Sequence, residues 1–239
     1  MKSIKNAALI TGGAKRMGKA FCLALAEKGY DIALHYGNSI AEAETTAVAI
    51  RQFNVECEIF QCDMNNPEAV QKLIPDVFHK FPHCNLLINN ASIFKRGKFS
   101  ETDLIFLEKH LTINFKAPFL LSQKFANLCN SGLIINMLDT KISANSENFF
   151  AYTLSKKMLY EFTRMAAKVL GPKNRVNGIC PGIILPSTET SKETLEKMIQ
   201  KLPLMKKGEP KNIINALFYL IENEFVTGDC LFVDGGEQL

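Results

Sequence analysis

A tyrosine and a lysine stand four positions apart, at Tyr152 and Lys156, in a segment whose apolar spacing predicts a helix as far as Leu170. Residues at i and i+4 lie on the same face of a helix, so an ammonium is expected next to a phenol. A free phenol has a pKa near ~10, and a nearby cation lowers that pKa by favouring the phenolate. The pair is a candidate proton donor with a cation that tunes it, although the same spacing also occurs on ordinary amphipathic helices.

A glycine-rich turn near the start of the chain is a candidate phosphate site. It follows the apolar run Ala7 to Thr11, which predicts a strand, and precedes Lys19 to Lys28, whose periodicity predicts a helix. Backbone amides at such a turn and the positive end of the following helix bind a diphosphate. A glycine-rich turn alone is weak evidence, but its place between a strand and a helix indicates a dinucleotide fold. The candidate cofactor-binding residues of the turn are Gly12, Lys15, Arg16, Met17 and Gly18.

The end of the second predicted strand, Asp31 to Tyr36, indicates which dinucleotide is bound. Folds that bind NAD carry a carboxylate there, which holds the ribose 2′-hydroxyl and repels a 2′-phosphate. This sequence has none, and its amide and hydroxyl donors, with the cations of the glycine turn, suit a phosphate. We therefore predict NADP(H) rather than NAD(H), although Asn38 and Ser39 also suit a cap of the helix that begins near Ala41. The candidate residues are His35, Tyr36, Asn38 and Ser39.

Apolar strand segments alternate with helical segments along the whole chain. This rhythm predicts a single α/β domain over residues 1–239, a doubly wound, Rossmann-like parallel sheet with helices on both faces. Several predicted strands end in residues that lie at the edge where open α/β sheets bind ligands. The candidate cofactor-binding residues at this edge are Asp63, Asn90, Ala91, Ser92, Pro181 and Gly182. Asp139 follows the almost wholly apolar strand from Gly132 to Leu138 at the same edge.

A long helix from Glu101 to Cys129 is predicted to be interrupted near Pro118, because proline has no N–H and clashes with the carbonyl four residues earlier. That carbonyl belongs to Asn114, which leaves it available to a water that passes protons to the site, unless the break is a plain proline kink. The stretch 183–203 is irregular apart from a short helix from about Ser191 to Lys201, and its length predicts a lid over a pocket.

Composition argues against several classes of function. The net charge of +4 is scattered along the chain and predicts neither nucleic-acid nor membrane binding. No apolar run approaches ~18 residues, and no signal peptide is expected. Seven cysteines without a CxxC pair predict free thiols in a reducing compartment, and Pro82 between His79 and His83 argues against a metal site. A soluble cytoplasmic protein is therefore expected.

The sequence resembles the short-chain dehydrogenase/reductase family over nearly its whole length. The matching pieces, in the order typical of the family, are Thr11-Gly12 to Gly18, Asp63, Asn89-Asn90-Ala91, Asn114, Tyr152 to Lys156, Pro181-Gly182 and Thr227-Gly228 to Asp234-Gly235-Gly236. The resemblance implies that Tyr152 donates the proton, that Lys156 binds the nicotinamide ribose and lowers the tyrosine pKa, and that Asn114 anchors a proton-relay water. It also implies a homotetramer formed through the helices that begin near Glu101 and Tyr152.

Two departures from the commonest family pattern are similar to the pteridine reductases. Arg16 stands where the family usually has glycine, and Asp139 stands where it usually has serine. The segment Asn90 to Phe94 resembles the pteridine reductases as well. By that resemblance Arg16 contacts the cofactor diphosphate and the pterin, Ser92 binds nearby, and Phe94 stacks on the pterin ring opposite the nicotinamide.

The chemistry of a pterin gives these substitutions a physical reason. An aromatic face such as Phe94 can sandwich a flat, nitrogen-rich bicycle against the nicotinamide, while polar groups bind its edge. Reduction of a C=N bond needs a hydride at carbon and a proton at nitrogen, which Asp139 beside Tyr152 can supply or relay if burial raises its pKa. The alternatives are a helix or turn cap for Asp139 and core or lid packing for Phe94, which is one of 17 phenylalanines.

The sequence therefore predicts an NADPH-dependent reductase of pterins that acts on a dihydropterin or dihydrofolate. The predicted catalytic residues are Tyr152, Lys156, Asp139 and Asn114, and the predicted substrate-binding residues are Arg16, Ser92, Phe94, Asp139 and Tyr152. One alternative is a carbonyl reductase of the same family, acting on 3-oxoacyl thioesters, which normally has a neutral hydroxyl in place of the carboxylate. Another is a non-catalytic NADPH-binding regulator, which has no need of the tyrosine acid.

Overall fold

One sheet of seven strands runs through the described part of the chain, residues 6–186 and 190–239 of the computed structural model. The strands are β1 (Ala7–Ile10), β2 (Asp31–Tyr36), β3 (Cys57–Gln61), β4 (Cys84–Asn89), β5 (Gly132–Met137), β6 (Asn174–Pro181) and β7 (Cys230–Val233). All neighbours pair in parallel, in the order β3-β2-β1-β4-β5-β6-β7. Because β5 is hydrogen-bonded on both sides, it lies inside the sheet, as its apolar sequence predicts.

Helices cover both faces of this sheet, because each parallel connection must cross back over it. They are α1 (Arg16–Glu27), α2 (Ile40–Arg51), α3 (Pro67–Lys80), α4 (Leu104–Leu111), α5 (Ala117–Leu128), α6 (Phe150–Leu170), α7 (Lys192–Gln200) and α8 (Pro210–Glu222). On one face α1, α2 and α8 bury side chains such as Phe21 and Leu217. On the other face α3, α5 and α6 bury side chains such as Leu73 and Phe125. The predicted doubly wound α/β fold is confirmed.

The long helix predicted from Glu101 to Cys129 consists of shorter pieces. A 3₁₀ turn covers Phe99–Glu101, and α4 begins only at Leu104, because the Asp103 carboxylate caps it by accepting from the Phe106 N–H at 2.7 Å. A π-helical segment, Thr112–Lys116, separates α4 from α5. Pro118 lies in the first turn of α5, where a missing N–H is tolerated. The predicted interruption is therefore present, as a π-helical turn.

The predicted lid is described in part, because residues 187–189 lie outside the described ranges. Its short helix is α7, which begins after Ser191, whose hydroxyl accepts from the Thr194 N–H at 3.2 Å. Among all described helices, none is long and apolar enough to cross a membrane.

A buried amide network ties the centre of the sheet to the helices behind it. The Asn89 amide nitrogen on β4 donates to Asn136 Oδ1 on β5 at 2.8 Å and to Ser122 Oγ on α5 at 3.2 Å. The Asn136 amide in turn donates to Thr163 Oγ1 on α6 at 2.9 Å. All four residues are buried, so these hydrogen bonds fix the relative positions of β4, β5 and α6.

Candidate active site

A groove of about 400 Å³ lies at the carboxyl edge of the sheet, where the glycine turn meets the ends of β4 and β6. Its lining consists of Gly12, Lys15, Arg16, Met17, Gly18, Asn90, Ala91, Ser92, Pro181, Gly182, Ile184 and Leu185. The first ten of these residues are among those predicted from the sequence to bind the cofactor. They come from three separate parts of the chain, and the parallel strands bring them together.

The glycines of the turn are required by its geometry. Gly12 has a φ of +65°, in the left-handed region that favours glycine. A Cβ on Gly18 would lie 2.0 Å from the Gly12 carbonyl oxygen, so the start of α1 packs directly on the turn. The resulting cradle of bare backbone, closed to any side chain, has the form that binds a diphosphate.

Hydrogen bonds from the end of β4 hold this turn in place. Thr11 Oγ1 accepts from the N–H groups of Asn90 and Ala91, both at 2.9 Å. The Asn90 side chain donates back to the carbonyls of Thr11, at 2.8 Å, and Gly12, at 3.3 Å. Thr11 is absent from the predicted site residues, although a hydroxyl between a strand and a glycine turn was a signal that could have identified it. Both polar residues act here by positioning the turn.

His35 lies beneath the turn and has a different role from the predicted contact with the cofactor. Its Nδ1 accepts from the Gly12 N–H at 3.0 Å, so Nε2 carries the proton and donates to the Cys62 carbonyl at 2.9 Å. The ring is buried, and burial lowers its pKa to about 4. His35 is therefore a neutral positioning residue whose ring nitrogens both bind protein atoms.

The remaining residues predicted to select the cofactor lie outside the groove. Tyr36 is buried, Asn38 is exposed, and Ser39 precedes α2 without a side-chain hydrogen bond to it, so the alternative role as a cap is not observed for Ser39. Asp63 is exposed and accepts from the Asn65 N–H at 2.9 Å. Lys15, by contrast, lines the groove, and its ammonium lies 3.3 Å from the Glu42 carboxylate on α2.

Tyr152 and Asp139 form the centre of a second cavity. The Tyr152 hydroxyl donates to Asp139 Oδ2 at 2.6 Å, while Asp139 Oδ1 accepts from the Lys141 N–H at 2.8 Å. Asp139 is thus both a turn cap and a partner of the tyrosine. Lys156 Nζ lies 5.8 Å from the centre of the Tyr152 ring and donates to the Met137 carbonyl at 2.7 Å.

The expected lowering of the Tyr152 pKa by Lys156 is not found. Burial raises the pKa of Tyr152 well above its ordinary value, and the Asp139 carboxylate raises it further through its charge and its hydrogen bond. Burial also lowers the pKa of Lys156 to about 8, with Asp139 opposing that shift. Tyr152 therefore keeps its proton at neutral pH, which is the state that a proton donor requires.

Asn114 fixes the loop after β4 to the helix that carries the tyrosine. Its Oδ1 accepts from the Ile93 N–H at 2.9 Å and from Ser92 Oγ at 3.1 Å. Its amide donates to the Ile93 carbonyl and to Ser155 Oγ, both at 3.0 Å, and Ser155 Oγ donates to the Tyr152 carbonyl at 2.6 Å. The fully buried side chain is thus saturated, and the water predicted at its backbone carbonyl stays a prediction. Ser155 is a site residue that the sequence reading missed.

The second cavity has a volume of about 430 Å³ and brings together four of the five predicted substrate residues. Arg16, Phe94, Asp139 and Tyr152 all line it, together with parts of the segment 181–186, with Thr190, Leu195 and Met198 of the lid, and with Glu237. The fifth, Ser92, lines the cofactor groove instead. Phe94 is half-exposed and stacks on Phe149 with ring centres 4.3 Å apart. It also makes a T-shaped contact with Tyr152, with ring centres 4.7 Å apart. Phe149 therefore covers one face of the Phe94 ring, and a ligand would contact the exposed part of the ring.

Arg16 lies on the boundary between the two cavities. Its guanidinium donates to the carbonyls of Leu185 and Pro186, which belong to the segment that leads into the lid. Its φ is +53°, a left-handed conformation that costs a non-glycine residue about 1 kcal/mol. Glycine adopts this backbone conformation without strain, which is why it suits the position, whereas Arg16 adopts it at a cost in free energy.

Comparison with known proteins identifies the family. The family model described as enoyl-(acyl carrier protein) reductase matches residues 12–238. The chain belongs to the short-chain dehydrogenase/reductase family. This short-chain dehydrogenase/reductase is 28% identical to the 3-oxoacyl-[acyl-carrier-protein] reductase FabG of Staphylococcus epidermidis. The match extends over 246 residues and covers 98% of this chain and 99% of FabG.

Solved structures include two similar members of the same family. The FolM alternative dihydrofolate reductase 1 of Brucella canis, complexed with NADP, is 32% identical with a TM-score of 0.92, over 98% of this chain and 94% of that one. The FolM protein of Brucella suis, also in complex with NADP, is 32% identical with a TM-score of 0.93, over 98% and 96% of the two chains. The predicted family and its resemblance to the pteridine reductases are confirmed.

Proposed function

We propose that this protein is an NADPH-dependent reductase of pterins, which converts a dihydropterin or dihydrofolate to the tetrahydro form. The observation that carries the proposal is that Arg16, Phe94, Asp139 and Tyr152 line one cavity. These residues come from three distant parts of the chain, and together they offer a flat aromatic side chain, polar groups for a ring edge and a protonated acid. The similarity to the two FolM reductases supports the same substrate class.

The first groove fits the cofactor. Its cradle of bare backbone at Gly12 and Gly18 accepts a diphosphate, and Lys15 in the lining would provide a donor to a 2′-phosphate. Lys156 would bind the nicotinamide ribose. NADPH supplies the hydride when bound, and the protein must therefore supply the proton.

Proton delivery follows from the contacts of Tyr152. Its phenol is protonated, and Asp139 fixes the direction of the O–H by accepting it at 2.6 Å. A basic ring nitrogen in the cavity competes with Asp139 for that proton as the C=N bond is reduced. The phenolate left on Tyr152 is stabilised by the Lys156 ammonium, whose nitrogen is 5.8 Å from the ring centre.

The direct test measures NADPH oxidation by the purified protein with dihydrobiopterin and with dihydrofolate. We expect turnover with at least one of them, and a loss of about 10²- to 10⁴-fold in kcat for Tyr152→Phe, the range typical of general acid catalysis. The variant serves as a matched control because the phenyl ring keeps the packing, so its affinity for NADPH should be unchanged. The absence of NADPH oxidation above background with both substrates would refute the proposal.

A 3-oxoacyl thioester reductase is the second candidate, and the similarity to FabG over nearly the whole chain favours it. Asp139 discriminates between the two, because reduction of a ketone calls for a neutral hydroxyl that hydrogen-bonds the substrate oxygen. Asp139→Ser should lose pterin reduction and gain ketone reduction. If neither activity changes, Asp139 does not select the substrate.

We also propose that the chain forms a homotetramer in the cytoplasm. Leu104 and Ile105 of α4 are 72% and 80% exposed, and α6 presents a row of exposed apolar side chains that includes Met165 and Val169. A second copy of the chain would cover this apolar surface. Light scattering should give a mass of four chains, and Val169→Glu should reduce it. All seven cysteines are described and unpaired, which fits a reducing compartment.

A further inference from the structure

Glu237, near the C-terminus, has a side chain in the substrate cavity that no motif of the sequence predicts. It lines the same cavity as Phe94, Asp139 and Tyr152. It comes from the end of the chain, beyond β7, whereas these other residues follow β4 and β5 or lie on α6. The C-terminal segment therefore contributes one wall of the cavity.

A built turn directs Glu237 into this wall. Gly235 and Gly236 have φ values of +69° and +90°, which reverse the chain after β7. The Asp234 carboxylate holds the turn closed by accepting from the Gly236 N–H at 2.9 Å and from the Gln238 N–H at 3.1 Å. The hydrogen bonds on both sides of Glu237 fix the backbone position from which its side chain reaches the cavity.

Groups of both charges lie around Glu237 in the wall of the cavity. Asp139, Thr140 and Lys141 line the same cavity. All three affect the Glu237 carboxyl: Lys141 and Thr140 lower its pKa, and Asp139 raises it. Lys141 Nζ lies 3.7 Å from Asp139 Oδ1 and 5.7 Å from the centre of the Phe94 ring. The wall thus holds two carboxylates and an ammonium, beside the aromatic ring of Phe94.

This arrangement is complementary to one kind of ring edge. An amino-oxo pyrimidine presents adjacent N–H donors, from its 2-amino group and ring nitrogen, followed by a carbonyl oxygen. A carboxylate accepts such paired donors in the bidentate way in which it accepts a guanidinium, and an ammonium next to it donates to the carbonyl. Burial raises the pKa of Glu237, Lys141 opposes that shift and Asp139 adds to it, so a ligand that donates hydrogen bonds would stabilise the charged carboxylate.

We propose that Glu237 is a specificity-determining residue that binds the 2-amino edge of the heterocycle, with Lys141 next to it on the carbonyl side. The inference rests on the proposed function and assigns the orientation of the substrate within that site. It places the amino-pyrimidine half of the ring system at the C-terminal wall and leaves the reducible C=N bond to Tyr152 and Asp139.

The test is a double-mutant cycle between the side chain and the 2-amino group. Binding of pterin and of 4-oxopteridine, which lacks the 2-amino group, is measured by fluorescence titration in the presence of NADPH. Glu237→Gln is nearly isosteric, and Glu237→Ala is a second variant in case the amide makes hydrogen bonds of its own. Glu222→Gln is the matched control, because Glu222 is an exposed residue at the end of α8.

Glu237→Gln should weaken the binding of pterin by about tenfold or more, as expected for a charge-assisted hydrogen bond, and leave that of 4-oxopteridine unchanged. In turnover of dihydropterin the variant should raise KM by the same factor with kcat retained, whereas Glu222→Gln should change neither. Equal losses for both ligands would show a structural effect and overturn the assignment of Glu237 alone. Failure of the unmodified protein to bind pterin or to reduce dihydropterins would overturn the proposed function together with it.

Discussion

Acidification is expected to destabilise the fold through one buried imidazole, that of His35. The ring must be neutral to accept from the Gly12 N–H, because a protonated ring has no free lone pair. The unfolded chain takes up a proton on His35 as the pH falls below its ordinary pKa of 6.5, while the folded chain resists protonation until about 4. Between these values the unfolded state binds more protons, so stability falls as the pH falls.

The magnitude follows from the two pKa values. The lowering of the His35 pKa from 6.5 to about 4 corresponds to a total loss of about 3 kcal/mol in the free energy of unfolding when both states are fully protonated, at ~1.4 kcal/mol for each pKa unit. Most of this is lost early: between about pH 7 and about pH 5 the loss is about 2 kcal/mol. This is a large fraction of the free energy of unfolding of an ordinary domain.

The assay is urea denaturation across this range, with the protein concentration held constant because the proposed assembly makes stability depend on it. The matched variant is His35→Asn, whose amide oxygen can still accept from the Gly12 N–H but which does not titrate. Glu237, whose pKa burial raises, and His110, whose pKa burial lowers, are present in both proteins and cancel in the comparison. The difference in stability between the two proteins should shrink by about 2 kcal/mol on acidification. Parallel curves would refute the reasoning.

Three further predictions concern the cofactor groove and its border. Gly18→Ala should abolish NADPH binding in a fluorescence titration and lower the melting temperature, because the new Cβ would lie 2.0 Å from the Gly12 carbonyl oxygen. Gly37→Ala is the control: a Cβ there has open space around it, so neither NADPH binding nor the melting temperature should change. Arg16→Gly should change the free energy of unfolding by less than about 1 kcal/mol in urea denaturation, because the relief of left-handed strain offsets the greater chain entropy of glycine and the lost hydrogen bonds to Leu185 and Pro186. It should nevertheless raise the KM for dihydropterin. A loss of several kcal/mol would contradict this account of the strain. The third prediction concerns the buried ammonium of Lys156, which loses its proton as the pH rises through about 8. Affinity for NADPH should fall in this range, because the neutral amine no longer attracts the cofactor. The free energy of unfolding should rise between about pH 8 and 10.5, because the folded chain no longer buries a charged ammonium. Lys156→Arg, which stays charged, should show no such loss of affinity, and a pH-independent affinity of the unmodified protein would contradict the assignment.

The fold was predictable because local patterns along the chain agree with one another. Apolar strand segments and amphipathic helices alternate, and parallel strands then place every strand end at one edge. This suffices to bring Gly12, Asn90 and Gly182 into one groove although they are far apart in sequence. Proline predicts a break before α5, but the kind of break depends on the packing around it, so the π-helical turn was not predictable.

The electrostatics of the site were the least predictable part. The spacing of Tyr152 and Lys156 predicts that they are neighbours on a helix, but the sign of the tyrosine pKa shift depends on burial and on a carboxylate thirteen residues earlier. No sequence pattern indicated that Glu237 reaches the substrate cavity. A single acid in a C-terminal segment resembles any solvated residue until the turn held by Asp234 is known. His35 was assigned to the cofactor because its strand ends there, and only its burial shows that it faces the protein.

The buried amide network has a consequence for how substrate preference changes over time. Asn89 directly precedes the segment that carries Asn90 and Phe94, and Asn136 directly precedes Met137, whose carbonyl holds the Lys156 ammonium. The network thus ends where the segments that line the two cavities begin. A lineage can exchange a hydroxyl for a carboxylate at position 139, or remodel the C-terminal wall, without moving the groups that transfer the proton. Ketone and heterocycle reductases can therefore descend from a common ancestor by changes confined to one rim of the sheet.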